Sequence, residues 1–300
     1  MSPREIFALR DYLSPELKGR TLCDARQIVS LTNILEQTCL FGGPRELSGR
    51  SVLLNVTDQL MSALAMIEID GVARRMLLCP PNLKADQLKT LIDDAEIDAV
   101  VTDQPARWTD SEVYLVVAAR PPVRAGTKAR TERATEWLML TSGTSGAPKI
   151  VGHTLEGLIG AILADAPSCD AAPVWATFYD IRCYGGLQIF LRAILSGGSM
   201  VLADPTQPLA DHVARLNAHG VTHISGTPSH WRKLLMSGSA FGLSPRYIQL
   251  SGEIADQAVL DGLSKAFPGA SIAVAAPSIS AAPAAPPEPA LQAAQCPWRA

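Results

Sequence analysis

WLMLTSGTSGAPKIVGHT, residues 137–154, decides how the chain is read. An apolar strand (WLMLT) runs straight into a bend of hydroxyls and glycines: Thr141, Ser142, Gly143, Thr144, Ser145 and Gly146. Pro148 and Lys149 close the bend, and a helix begins near Thr154. Strand, turn and helix in succession are the unit of an α/β fold. The same succession recurs on both sides. Short apolar runs of strand length stand at 51–56 (SVLLNV), 75–80, 98–103, 112–119, 173–178, 199–204, 221–225, 246–251 and 270–274. Between them, apolar residues repeat at helical spacing in 58–69, 83–97, 154–166, 186–196, 209–220, 229–237 and 255–267. The longest such stretch is ARQIVSLTNILEQTCLF, 25–41. Alternation on this scale predicts mostly parallel β-sheets with helices on both faces. The polar, basic run RPPVRAGTKARTER, 120–134, reads as a surface connector. It divides an N-terminal α/β subdomain, 1–125, from a second one, 126–272, that holds the bend.

The chain has 300 residues, 47% of them apolar, and a formal net charge of −3. That is enough apolar content for a sizeable core, and the charge argues against a nucleic-acid partner. No apolar run approaches the ~18–20 residues that span a bilayer, so no membrane partner is expected. The first twenty residues are too charged for a secretory signal, which makes the cytoplasm the expected compartment. The six cysteines show no CxxC pairing and the five histidines are scattered. Reduced, mostly buried cysteines and no metal site are expected.

The chemistry of the 141–149 bend suits a polyphosphate. Glycines let the backbone come close and turn N–H groups onto oxygens, hydroxyls add donors, and Lys149 adds a compact positive charge. It is not a Walker loop, because Pro148 stands five residues after Gly143 and Ile150 follows the lysine.

TSGTSGAPK, 141–149, resembles the signature loop of the acyl-adenylate-forming superfamily, which holds acyl- and aryl-CoA synthetases, luciferases and peptide-synthetase adenylation domains. The resemblance runs from about residue 20 to 272. It implies ATP phosphate binding by Thr141, Ser142, Gly143, Thr144, Ser145 and Gly146, with Lys149 nearby. VTHISGTPSHWRKLL, 221–235, is similar to the strand, Thr-Pro and helix that precede the adenine site. LSGEIADQ, 250–257, resembles the adenine segment, which carries the role to Ser251, Gly252 and Glu253. The same residues also read as a strand end with a helix-capping acid, Glu253 or Asp256. The acyl pocket carries over to Tyr179, Arg182, Tyr184, Gly185 and Gly186. Those aromatics also read as core and helix-start packing. Arg182 stands where the family often has His, and an arginine there would suit an acidic substrate.

The resemblance implies activation of a small-molecule carboxylic acid by ATP with Mg²⁺, then thioester formation with coenzyme A. Loading of a carrier protein, or a non-catalytic nucleotide-binding descendant, are the alternatives. The family's Tyr-Gly-x-Thr-Glu element, ribose Asp, hinge Arg and small domain with its catalytic Lys have no counterpart after 272. Instead, 273–300 hold 11 Ala and 6 Pro, an expected disordered tail. A frameshift near codon 273 is the expected origin of that change. An incomplete N-terminal domain, an incomplete Mg²⁺ site and weak or absent activity are the corresponding expectations.

Overall fold

A computed structural model describes residues 7–13, 17–81, 83–109, 113–125, 131–142, 148–164, 172–204, 206–240 and 242–275. The chain forms two compact units, one built on Val29–Gly160 and the other on Thr21–Ile28 with the chain from Ala161 onward. Early in the chain come strands β1 (Thr21–Cys23) and β2 (Ile28–Ser30), the one-turn helix α1 (Leu31–Ile34) and β3 (Gln37–Leu40). Then follow β4 (Ser51–Asn55), α2 (Gln59–Ile69), β5 (Arg75–Leu78), α3 (Ala85–Asp94), β6 (Ala99–Thr102), β7 (Leu115–Arg124), β8 (Glu136–Ser142), β9 (Pro148–His153) and α4 (Leu155–Ala164). The second half holds β10 (Val174–Thr177), α5 (Tyr184–Leu195), β11 (Ser199–Val201), α6 (Leu209–Ala218) and β12 (His223–Gly226). It ends with α7 (Pro228–Met236), β13 (Tyr247–Leu250), α8 (Gln257–Ala266) and β14 (Ser271–Val274).

One sheet runs β3-β7-β6-β4-β5-β8-β9 and the other β14-β13-β12-β10-β11-β1-β2. The pairs from β4 to β8 and from β10 to β14 are parallel, whereas β3–β7 and β8–β9 are antiparallel. Parallel central strands are covered on both faces, so they need unbroken apolar runs: Val52, Leu53 and Leu54 of β4 are fully buried. The winding β6-β4-β5 repeats as β12-β10-β11. In each, the connections from the first two strands leave in opposite directions, which opens a crevice at the carboxyl ends of the strands.

Helix α2 is apolar nearly all round, and every one of its residues is buried. Its start is capped by Asp58, which accepts from Met61 N at 2.8 Å. Its end is held by Arg10, whose Nη2 donates to the carbonyls of Ile67, Glu68 and Asp70 at 3.2, 2.5 and 3.1 Å. The buried Asp70 carboxylate accepts from Leu9 N at 2.7 Å and from Trp137 Nε1 at 2.9 Å. It thereby ties the N-terminal turn and strand β8 to the end of α2.

Four expectations from the sequence need correction. Residues 25–41 are not one helix but β2, the single turn α1 and β3. Ile28, Val29, Thr32, Ile34 and Thr38 are β-branched, and Glu68 accepts from Thr38 Oγ1 at 2.6 Å and Cys39 N at 2.5 Å, which fixes the segment beside α2. The division near 125 moves to 160, because β8 pairs in parallel with β5 and so belongs to the first sheet. Residues 120–124 of the expected connector are strand, since β7 continues past its parallel contact with β6 to pair with β3. Cys183 is disulfide-bonded, whereas Cys23, Cys39 and Cys79 are free and buried. Spacing along the sequence says nothing about pairing between distant cysteines. The tail beyond 275 lies outside the described residues. Among the described residues, no helix is long and apolar enough to cross a membrane.

Burial raises the Asp70 carboxyl from its ordinary 3.8 to about 6, against the hydrogen bonds from Leu9 and Trp137. The folded state therefore holds this proton more tightly than the unfolded chain does. The resulting stabilisation is full below pH ~4 and is lost as pH rises through about 6. At ~1.4 kcal/mol per pH unit, wild type should lose roughly 3 kcal/mol relative to Asp70→Asn between pH 4 and 7. Urea unfolding of both proteins across that range measures it, and parallel profiles would contradict it.

Candidate functional site

Three chain segments leave the carboxyl ends of the parallel strands β10, β12 and β13, at the strand reversal where α/β sheets open a crevice. The segment after β10 carries Phe178, Tyr179 and Asp180. The segment after β12 carries Thr227, and that after β13 carries Ser251, Gly252 and Glu253. Tyr179 joins the first to the third: its hydroxyl lies 2.8 Å from both the Ser251 carbonyl oxygen and Ser251 Oγ. Burial pushes the Tyr179 phenol up to about 12, so it stays a neutral donor. Phe178 stacks on His230, centroids 5.6 Å apart and 20° between planes, and Tyr179 meets His230 edge-on at 6.0 Å. A side chain at Gly226 would place its Cβ 2.8 Å from the Phe178 ring, so this strand end must stay bare.

Helix α7 starts at this point for local reasons. Thr227 Oγ1 accepts from His230 N at 3.1 Å, His230 Nδ1 accepts from Thr227 N at 3.2 Å, and Pro228 occupies the first helical position. The Glu253 carboxylate accepts from Ser229 N at 3.1 Å and Ser229 Oγ at 2.6 Å, which places a negative charge on the positive end of the helix. Asp256 caps α8, accepting from Val259 N at 2.9 Å. Both acids thus act as helix caps, the second way their sequence could be read. Gly252 sits at φ +81°, a left-handed conformation that glycine adopts without strain.

Among the acyl-pocket candidates, Arg182 is fully buried and gripped by its neighbour. Its Nε donates to Asp180 Oδ1 at 2.7 Å and its Nη2 to Asp180 Oδ2 at 2.5 Å. Tyr184, Gly185 and Gly186 form the first turn of α5, with Tyr184 half-buried and its phenol raised by burial. A Cβ on Gly186 would lie 2.1 Å from the Asp180 carbonyl oxygen, so only glycine lets the helix start against this loop.

The bend at 141–149 belongs to the other unit. Its two flanks are the antiparallel strands β8 and β9, with Thr141 opposite Lys149 and Ser142 opposite Pro148. Thr141 Oγ1 donates to the Lys149 carbonyl at 3.4 Å, and Lys149 is exposed. Strand β9, absent from the sequence reading, precedes the helix α4 that was expected near Thr154. Gly143, Thr144, Ser145 and Gly146 lie outside the described residues. The structure therefore brings Tyr179 to Ser251, and Thr141 to Lys149. Asp180, Ser229 and His230 escaped the sequence reading. The Thr-Pro-x-His spacing of a capping box was the available signal for the last of them.

The family described as AMP-binding enzyme matches residues 52–275. The chain belongs to that family. Its fold matches the Klebsiella oxytoca NpsA N-terminal subdomain, solved in complex with 3-hydroxybenzoyl-AMSN, at TM-score 0.68 and 16% identity over 88% of this chain and 70% of that one. VinN, solved with L-aspartate, matches at TM-score 0.66 and 18% identity over 89% and 74%. A double mutant of the Bacillus subtilis o-succinylbenzoate CoA synthetase MenE, bound with its product analogue OSB-NCoA, matches at 0.66 and 17% over 86% and 55%. No curated protein matches the chain by sequence. In this member of the AMP-binding family, as in the solved neighbours, the architecture is two mostly parallel sheets flanked by helices.

The tight seat of Gly186 has a measurable consequence. Gly186→Ala should cost about 3 kcal/mol or more in chemical unfolding, through overpacking against a backbone oxygen. Gly185→Ala, whose Cβ would meet only Tyr179 Cδ2 at 3.9 Å, should stay within about 1 kcal/mol of wild type. Equal costs at the two positions would contradict this packing.

Proposed function

We propose that this chain binds ATP as a relative of enzymes that activate a carboxylic acid as its acyl-adenylate, releasing pyrophosphate, and pass the acyl group to the thiol of coenzyme A, its own turnover being weak or absent. The observation that carries the reading is the Tyr179–Ser251 hydrogen bond. It ties the segment after β10 to the segment after β13 at a strand reversal, where α/β sheets take their ligands.

In this reading Ser251, Gly252 and Glu253 border the adenine. The left-handed turn at Gly252 carries no side chain, so a flat base can approach the backbone. Thr141 and Lys149 flank the phosphate-binding bend. The exposed Lys149 ammonium offsets phosphate charge. The carboxylate attacks the α-phosphate in line, its oxygen forming the new P–O bond as pyrophosphate leaves. Little covalent chemistry falls to the protein, so its contribution is positioning and charge stabilisation. Family chemistry adds Mg²⁺ to neutralise the phosphates. Among the described residues, no group of three or more His, Cys, Asp or Glu is placed to hold an ion, and Glu253 is engaged on α7.

Titration calorimetry of the full chain with ATP tests the reading. Lys149→Ala, an exposed substitution that leaves the fold intact, should weaken binding by about tenfold or more. Absence of ATP binding by wild type, or unchanged affinity in the variant, would contradict it.

A further inference from the structure

A cavity of about 350 Å³ lies wholly within the first unit, whereas Tyr179 and Ser251 belong to the second. Its size falls in the roughly 300–1,000 Å³ range of small-molecule sites. Four pieces of chain wall it: the turn Leu9–Tyr12, the stretch from α1 into β3, the start of the turn Pro44–Leu47, and the end of α2. Two side chains hold these pieces in place. Arg10 is tied through Nη2 to the carbonyls at the end of α2, and Glu68 of that same end holds Thr38 and Cys39 of β3. Both of them line the cavity.

The lining is partly apolar and partly charged with both signs. Leu13, Ile34, Leu35, Pro44 and Ile67 supply the apolar part, and Arg10, Asp11 and Glu68 the charges. Each of the three charged groups has hydrogen-bonding capacity left over. Among the described residues the hydrogen bonds of Arg10 all leave from Nη2, and its Nε is buried without a partner. Buried N–H groups are almost always paired, so a leftover one on a cavity wall calls for an acceptor. Glu68 is 7% exposed and takes one hydrogen bond on each oxygen, from Cys39 N on Oε1 and from Thr38 Oγ1 on Oε2. A carboxylate accepts about four. Asp11 takes its bonds, from Ala8 N and Thr131 Oγ1, on Oδ2 alone. Burial raises the Glu68 carboxyl, against its bonds from Thr38 and Cys39 and the Arg10 charge, and burial lowers the Arg10 guanidinium. Both directions mark charges that have lost water without gaining full compensation.

We propose that this cavity binds a small zwitterion with an apolar body, an aliphatic α-amino acid by class, its carboxylate on Arg10, its ammonium on Glu68 and Asp11, and its side chain on Leu13, Ile34, Leu35 and Pro44. The assignment does not depend on the adenylate reading. A lone carboxylate would meet the Glu68 charge and a lone ammonium the Arg10 charge. A ligand carrying both signs satisfies both, which is how the wall discriminates among bodies of one shape. The two charged ends gain charge-assisted hydrogen bonds, and the aliphatic body adds apolar burial.

Titration calorimetry of the full chain with three probes of one shape tests the proposal: L-leucine, 3-methylbutylamine and 4-methylpentanoate. Wild type should bind leucine at least about tenfold more tightly than either singly charged probe. Ala125→Trp, at a half-buried position on the cavity wall, should fill the space and weaken leucine binding by about tenfold or more. Amide hydrogen exchange of wild type locates the ligand without any variant: leucine should slow exchange within 34–39 and 67–70. Absence of leucine binding, equal or tighter binding of a singly charged probe, unchanged affinity in a folded Ala125→Trp, or protection only outside these walls overturns the proposal. Each of these results leaves the adenylate reading to its own test with ATP.

Discussion

A parallel strand delivers the chain to the same end of its sheet every time, and this one constraint organises the molecule. When the connections from β10 and β12 leave in opposite directions, the segments that follow them must part at that end. The gap they leave is lined by whatever residues come next. Here those are Phe178, Tyr179 and Asp180 on one side and Thr227 to His230 on the other, with Ser251 to Glu253 arriving from β13. The Tyr179 hydroxyl closes the arrangement by bridging to Ser251, 72 residues away in sequence. The other unit repeats the winding in β6-β4-β5, and there Asp103 holds the chain just before the Asp58 cap of α2. Its Oδ2 accepts from Thr57 N at 2.9 Å.

Much of this was legible in the chain itself. Buried parallel strands must be apolar on both faces, so SVLLN, AVVT and VWAT announced themselves. Helices α2 to α8 followed from spacing, and Asp256 could be marked as a cap, whereas the caps Asp58 and Thr227 emerge only in the fold. What failed was set by tertiary partners. Residues 25–41 have helical spacing, yet Glu68 and strand β7 hold them extended. Strand β9 reads as part of a loop until β8 is seen to pair with it. Of the candidate site, Ser251, Gly252, Tyr179 and Lys149 could be marked by resemblance, while the Asp180–Arg182 pairing depends on rotamers that no spacing encodes.

Several polar groups are paired within short reach: the buried Asp70 with Trp137 and Leu9, the buried Glu68 with Thr38 and Cys39, Asp180 with the buried Arg182, and, at the surface, Glu253 with Ser229. Where the chain approaches the crevice, this pairing leaves hydroxyls, rings and bare backbone facing it. That distribution fits a family whose chemistry depends on holding reactants in line.

Amide hydrogen exchange with and without saturating ATP addresses the central claim most directly. The account predicts slowed exchange at the amides of 226–230 and 251–253, where the nucleotide meets the crevice. Unchanged exchange there, with protection elsewhere in the chain, would contradict it.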